Sequence, residues 1–129
     1  MTWSAVFVAL LVSHAVGDVL LQTEWQAVHK IGGLRTPTAR RALFYHVATY
    51  LLAFVPVLVW IGSNEGAWRA VEIAALVALP HLLIDDGRIV SFWLREVKGA
   101  ERPPTALAIA VDQVFHVVFL LGAALLAVA

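Results

Sequence analysis

Four stretches of this sequence are apolar for about the length of a bilayer-crossing helix, and each carries histidine or aspartate. They run Thr2–Leu21, Ala42–Ile61, Trp68–Ile84 and Ala106–Ala129. A helix rising 1.5 Å per residue needs about 20 apolar residues to cross the hydrocarbon core, with about 17 as the practical minimum. The third stretch is close to that minimum, with Glu72 in its first turn and Pro80 near its end. It is counted as a span because its polar residues match those of the first. The sequence therefore predicts an all-α, polytopic membrane protein with four transmembrane helices, as a single membrane domain over residues 1–129.

Composition narrows the chemistry. Hydrophobic residues make up 61% of the chain and charged residues 14%, against about half and a quarter in soluble proteins. The formal net charge is zero, so no basic face for nucleic acid is indicated and no such partner is expected. Cysteine is absent, which removes disulfides and thiolate ligands. Any metal here is held by imidazole and carboxylate, a donor set suited to zinc, iron, manganese or nickel.

Positive charge gives the orientation. Lys30, Arg35, Arg40 and Arg41 lie between the first two spans, and Arg88, Arg95, Lys98 and Arg102 between the last two. The Gly62–Ala67 connection carries no lysine or arginine. The positive-inside rule then makes both long loops cytoplasmic and puts both termini outside, in a bacterial cytoplasmic (inner) membrane. Aromatic residues among those charges predict short interfacial helices near Gln22–His29 and Ile89–Val97. Ser13-His14-Ala15 has the form of a signal-peptide cleavage site, but no basic region precedes it, and the segment reads as a span.

The two halves correspond at one offset. His14 and His81 are 67 positions apart, as are Asp18 and Asp85, Gly32 and Gly99, Arg35 and Arg102, and Pro37 and Pro104. His46 falls opposite Gln113, beside Asp112. This pattern predicts two parallel two-helix repeats, about 1–66 and 67–129, related by a pseudo-twofold along the membrane normal. Pro37 and Pro104 suit the first turn of a helix, where no N–H is needed.

The candidate site is drawn from all four spans: His14, Asp18, His46, His81, Asp85, Asp112 and His116. An ionisable group near a bilayer centre costs about 2.5–3.5 kcal/mol even on the lenient insertion scale. Seven such groups must neutralise one another, face water or bind a cation. Counted from the loop boundaries, His14, His46, His81 and Asp112 lie at one depth, roughly 8–12 Å inside the cytoplasmic boundary. His14/Asp18, His81/Asp85 and Asp112/His116 are spaced i,i+4, which puts both members on one helix face. Such a pair chelates an ion, or lets the carboxylate orient an imidazole that does. The set suits two divalent ions bridged by an aspartate, or one ion with outlying carboxylates. Tyr45, Thr49 and Tyr50 are candidates to line the site, and Gln22 and Glu24 to flank it. His29 reads as a solvated loop residue.

The ordered motifs His14-Ala15-Val16-Gly17-Asp18, Leu20-Leu21-Gln22-Thr23-Glu24-Trp25, His46, His81-Leu82-Leu83-Ile84-Asp85 and Asp112-Gln113-x-x-His116 resemble a known group. They look like domain-of-unknown-function family 3307, small bacterial integral membrane proteins. The resemblance implies a polar site at these positions and no particular activity. A more distant similarity, at the level of the His-x-x-x-Asp pairs, is to the putative membrane-bound metal-dependent hydrolases. The expectation is a metal-dependent hydrolase with one or two divalent transition-metal ions, zinc foremost. Its substrate would be lipid-borne, and Asp112 would be the catalytic base. The partners expected are membrane lipids and that substrate, and an oligomer is compatible with the sequence. A metal-ion or proton transporter and a metal-stapled adaptor are the alternatives.

Overall fold

The computed structural model describes all residues 1–129. It is built only of helices: α1 (Trp3–Ala15) running into a π-helical turn (Val16–Leu20), α2 (Glu24–His29), α3 (Pro37–Glu65), α4 (Ala67–Asp85), α5 (Arg88–Phe92) followed by a second π-helical stretch (Trp93–Val97), and α6 (Thr105–Ala127). The four long helices, α1 with its π turn included, are long and apolar enough to cross a membrane. The short ones stand where the sequence placed interfacial helices.

Local chemistry sets the boundaries. Thr2 caps α1 by accepting from the Ala5 N–H, and Thr36 caps α3 by accepting from the Ala39 N–H. Thr23 and Gln26 form a reciprocal capping box at the start of α2, which satisfies two otherwise unpaired donors. Gly66, at φ 97°, separates α3 from α4, a conformation that favours a residue without Cβ. Pro37 opens α3 in its first turn, as the sequence reading has it, ahead of the apolar run that begins at Ala42. The second proline differs. Pro104 sits at the N-cap of α6, one position before its first turn.

Helix α1 packs against α3 and α6, and α4 packs against the same two, so the ring order is α1–α3–α4–α6. Val6, Leu10, Phe54, Ile61, Ile73 and Ala127 belong to an apolar cluster that fills one half of the ring. Large apolar side chains also cover the outside: Val8, Val12, Val19, Leu52, Val59 and Leu79 are each more than half exposed. An exterior of this kind is stable against hydrocarbon and not against water.

The two ends of the bundle differ. At one, the Met1 amino group lies 3.9 Å from Glu65, which puts the N-terminus beside the α3–α4 turn. At the other, buried Asp86 ties the two long connections together. Its backbone carbonyl accepts from the Gly32 N–H (2.8 Å) and its Oδ1 from the Leu34 N–H (3.2 Å), while Arg88 pairs with Oδ2. Eight of the nine lysines and arginines lie in or beside these connections. The ninth, Arg69, is neutralised by Glu72 at 2.8 Å in the first turn of α4.

Candidate metal centre

The α3 and α4 helices bring His46 and His81 together, and Asp18 and Asp85 close the group from the π turn and the end of α4. His46 Nε2 lies 3.0 Å from His81 Nε2, 3.1 Å from Asp18 Oδ1 and 2.9 Å from Asp85 Oδ2. His81 Nε2 lies 3.2 Å from the same Asp85 oxygen. Four donor atoms thus converge within 4.8 Å of one another. A tetrahedral ion with bonds of 2.0–2.1 Å spaces its donors about 3.3 Å apart, close to what these side chains already adopt. Both imidazoles are buried, so water is not at hand to relieve the crowding of lone pairs.

A second group shares Asp85. Asp85, Asp112 and His116 place donor atoms within the same 4.8 Å limit. His116 Nδ1 lies 2.9 Å from the Asp112 backbone carbonyl. A carbonyl only accepts, so Nδ1 donates and Nε2 is left with its lone pair. That Nε2 is buried without a hydrogen-bond partner, and it faces Asp85 Oδ1 at 3.5 Å, which also lacks one. Two lone pairs pointed at each other in a buried site call for a proton or a cation between them. Asp85 therefore turns one oxygen to each group. Asp112 is the most open carboxylate of the set, its side chain 27% exposed against 8% for Asp18 and 1% for Asp85.

His14 stands outside both groups. Its Nδ1 is 3.0 Å from the Tyr50 hydroxyl and its Nε2 is 3.0 Å from Gln113 Oε1. The amide nitrogen of Gln113 donates to Asp18 Oδ2 (3.0 Å) and Asp112 Oδ2 (3.2 Å). The direction of the chain follows. Gln113 Oε1 must accept, so His14 Nε2 donates, and Nδ1 accepts the Tyr50 O–H. Both nitrogens of His14 are thereby engaged in holding Gln113, which in turn holds two carboxylates. Tyr50 also stacks on His81, with ring centroids 3.6 Å apart and planes at 3°.

The separation of His14 from Asp18 has a local cause. The turn carrying Asp18 is π-helical, closed by the Leu21 N–H bonding the Val16 carbonyl at 3.0 Å. The widened turn breaks the α-helical register that would keep positions i and i+4 on one face. Gly17 within it is pressed against α3: a Cβ there would lie 2.7 Å from Tyr50 Cδ2 and 3.1 Å from Tyr50 Cα.

Lys30, one of the loop cations that the sequence reading used for orientation and offered for a substrate phosphate, belongs to the cluster. Lys30 Nζ lies 2.6 Å from Asp85 Oδ2 and 3.7 Å from Asp18 Oδ1, with the side chain 14% exposed. Gln22, with its amide oxygen turned to that Nζ at 2.6 Å, flanks it. Nothing in the residue order signals this contact, because it depends on α2 folding back over the bundle. Of the residues considered as lining, Tyr50 is inside. Tyr45 is exposed under Arg41, and the Thr49 hydroxyl bonds the carbonyls of Tyr45 and His46 in its own helix. Exposed His29 bonds the Trp25 carbonyl at 2.8 Å, away from the cluster.

These helices and this His/Asp cluster have a family. The model described as "Protein of unknown function (DUF3307)" matches residues 6–129. The chain belongs to that family. No curated protein and no solved structure matches it. Membership in DUF3307 names no reaction, so chemistry has to be argued from the cluster itself. The link to the membrane-bound metal-dependent hydrolases rests on the His-x-x-x-Asp pairs alone.

Proposed function

We propose that this DUF3307 chain is an intramembrane metalloenzyme that hydrolyses a lipid-borne substrate. Its site would hold one or two divalent transition-metal ions, with zinc as the first candidate. The observation that supports the reading is Asp85, whose two oxygens face two separate sets of buried donors. His46, His81 and Asp18 are the proposed ligands on one side, and His116 and Asp112 on the other. His14 acts through Gln113, setting the positions of Asp18 and Asp112. A bound ion would lower the pKa of a water toward about 7 and polarise a carbonyl or phosphoryl oxygen. Asp112, the most open carboxylate and held by Gln113, is the proposed general base.

The location of the cluster favours hydrolysis over transport. The opposite half of the ring is filled by packed apolar side chains, including Leu10, Phe54 and Ile61. A conducting path through one chain would need polar lining there. We read the long connections as cytoplasmic, which puts the cluster near the inner headgroups of a bacterial cytoplasmic membrane. We also read the chain as a duplication. A twofold through the ring centre would exchange α1 with α4 and α3 with α6, and Gly32 and Gly99, which correspond at the 67-residue offset, both have positive φ, 73° and 61°.

Elemental analysis of untagged protein should find a transition metal in near-integral amount. Asp112→Asn keeps the shape of the side chain but cannot take a proton. It should abolish turnover of lipid phosphates, esters or amides while retaining metal. Loss of metal in that variant would make Asp112 a ligand only. Ion flux in proteoliposomes, with no turnover of any of these substrates, would replace the enzyme with a transporter. For the orientation, a cysteine at Glu101 should be shielded from an impermeant thiol reagent in intact cells, while one at Ser63 reacts. Both positions are exposed.

A further inference from the structure

Lys30 holds a place that the metal reading has not used. Its ammonium is 2.6 Å from Asp85 Oδ2, and that oxygen is one of the four atoms of the His46/His81 donor group. It also lies 3.7 Å from Asp18 Oδ1, the other carboxylate oxygen of that group. Every anion of the first group is therefore already faced by a tethered cation. The lysine is carried there by the segment following α2, whose capping box at Thr23 and Gln26 fixes how the chain returns over the bundle. Gln22 is suited to accept a second hydrogen bond from the same ammonium.

We propose that Lys30 is the resident cation of this donor group, and that a divalent ion and the Lys30 ammonium exclude one another there. The inference rests on the metal reading given above. Buried carboxylates need a counter-charge whether or not metal is bound, and Lys30 supplies one in its absence. A dication bound to Asp18 Oδ1 and Asp85 Oδ2 would stand within a few ångströms of the ammonium, with little water to screen the repulsion. The flexible four-carbon stem lets the ammonium withdraw from the site. Metal loading thus exchanges one cation for another, and Lys30 sets how tightly the first group holds its ion. The second group, built on Asp85 Oδ1, Asp112 and His116, has no lysine or arginine within ion-pair distance of those atoms.

Two measurements on the full chain test the exchange. Lys30 and Lys98 are the only lysines, and Lys98 is exposed, so it serves as an internal reference. In detergent-solubilised wild type, acylation of Lys30 relative to Lys98 should rise severalfold when Co(II) is added. An unchanged ratio in protein that has bound Co(II) overturns the exclusion while leaving the metal centre standing. Lys30→Met removes the charge and keeps the length. Protein purified already loaded with Co(II) should then lose the ion to a chelator at least tenfold more slowly than wild type, and an equal or faster loss overturns the proposal. If wild type binds no Co(II) by its visible spectrum, both the metal reading and this inference fail together.

Discussion

The His14/Asp18 pair of the first half and the His81/Asp85 pair of the second share a spacing and a register but not a task. In α4 the helix is regular, and His81 Nε2 and Asp85 Oδ2 meet at 3.2 Å. At the end of α1 the π turn separates the pair. Asp18 is sent to His46, Lys30 and Gln113, while His14 is left between Tyr50 and Gln113. At the 67-residue offset Gly17 falls opposite Ile84, a buried core residue. At the first-half position the backbone instead touches Tyr50. The widened turn thus splits the first pair, sending Asp18 to the donors around His81 and Asp85 and leaving His14 as a positioning arm. Equal spacing in sequence guarantees equal geometry only while the helix type is the same.

Alanine at the two histidines should expose this division most sharply. His81→Ala removes the donor paired with Asp85 and His46 and the stacking partner of Tyr50. It should remove metal from the first group and destabilise the fold by about 3–5 kcal/mol, the range for truncating a large buried ring to alanine. His14→Ala should retain metal and cost about 1–3 kcal/mol, since it unpairs the Tyr50 hydroxyl and the Gln113 carbonyl. Metal content by elemental analysis and thermal unfolding in detergent check both. If His14→Ala loses metal as completely as His81→Ala, the two halves are functionally equivalent and the comparison collapses.

Gly17→Ala asks whether the π turn depends on the close approach of α1 to α3. The added methyl would meet the Tyr50 ring at 2.7 Å and its backbone at 3.1 Å. The backbone contact cannot be relieved by a rotamer change, so the helices must separate. A cost of about 1–3 kcal/mol is expected from overpacking, with a disturbed His14–Tyr50 contact. An unfolding midpoint equal to wild type would mean that the interface yields freely, and the account of Asp18's placement would lose its cause.

What the sequence disclosed and what it hid follow the same line. Span positions come from hydropathy, which is a sum over many residues and tolerates local error; all four spans were placed, and the short helices were marked by aromatics set among charges. The convergence of Asp18, His46, His81, Asp85, Asp112 and His116 was legible because depth in a bilayer is counted in residues. The π turn was not, since Val16-Gly17-Asp18-Val19-Leu20 fits an α-helix equally well on composition. Nor was Lys30: a cation in a loop is expected from topology alone, and only the return of α2 over the bundle brings it to Asp85. The burial of Asp86, beside Asp85 in sequence, likewise reflects a contact between two loops that no periodicity records.

The mildest probe of the comparison is Tyr50→Phe. The ring that stacks on His81 is preserved, and only the hydroxyl 3.0 Å from His14 Nδ1 is lost. At the 67-residue offset Tyr50 falls opposite Val117, which has no hydroxyl to offer, so this hydrogen bond belongs to the positioning arm alone. The variant should lose about 0.5–1.5 kcal/mol, the net worth of one hydrogen bond, and keep its full complement of metal. His14 would retain its bond to Gln113 and with it the placement of Asp18 and Asp112. Should metal content fall in Tyr50→Phe, the freed imidazole has not stayed in place, and the hydroxyl is what keeps His14 from disturbing the ligands. An unchanged midpoint with unchanged metal would instead show that Gln113 alone fixes the arm, placing the whole difference between the halves in the π turn and in the exchange of His46 for Gln113.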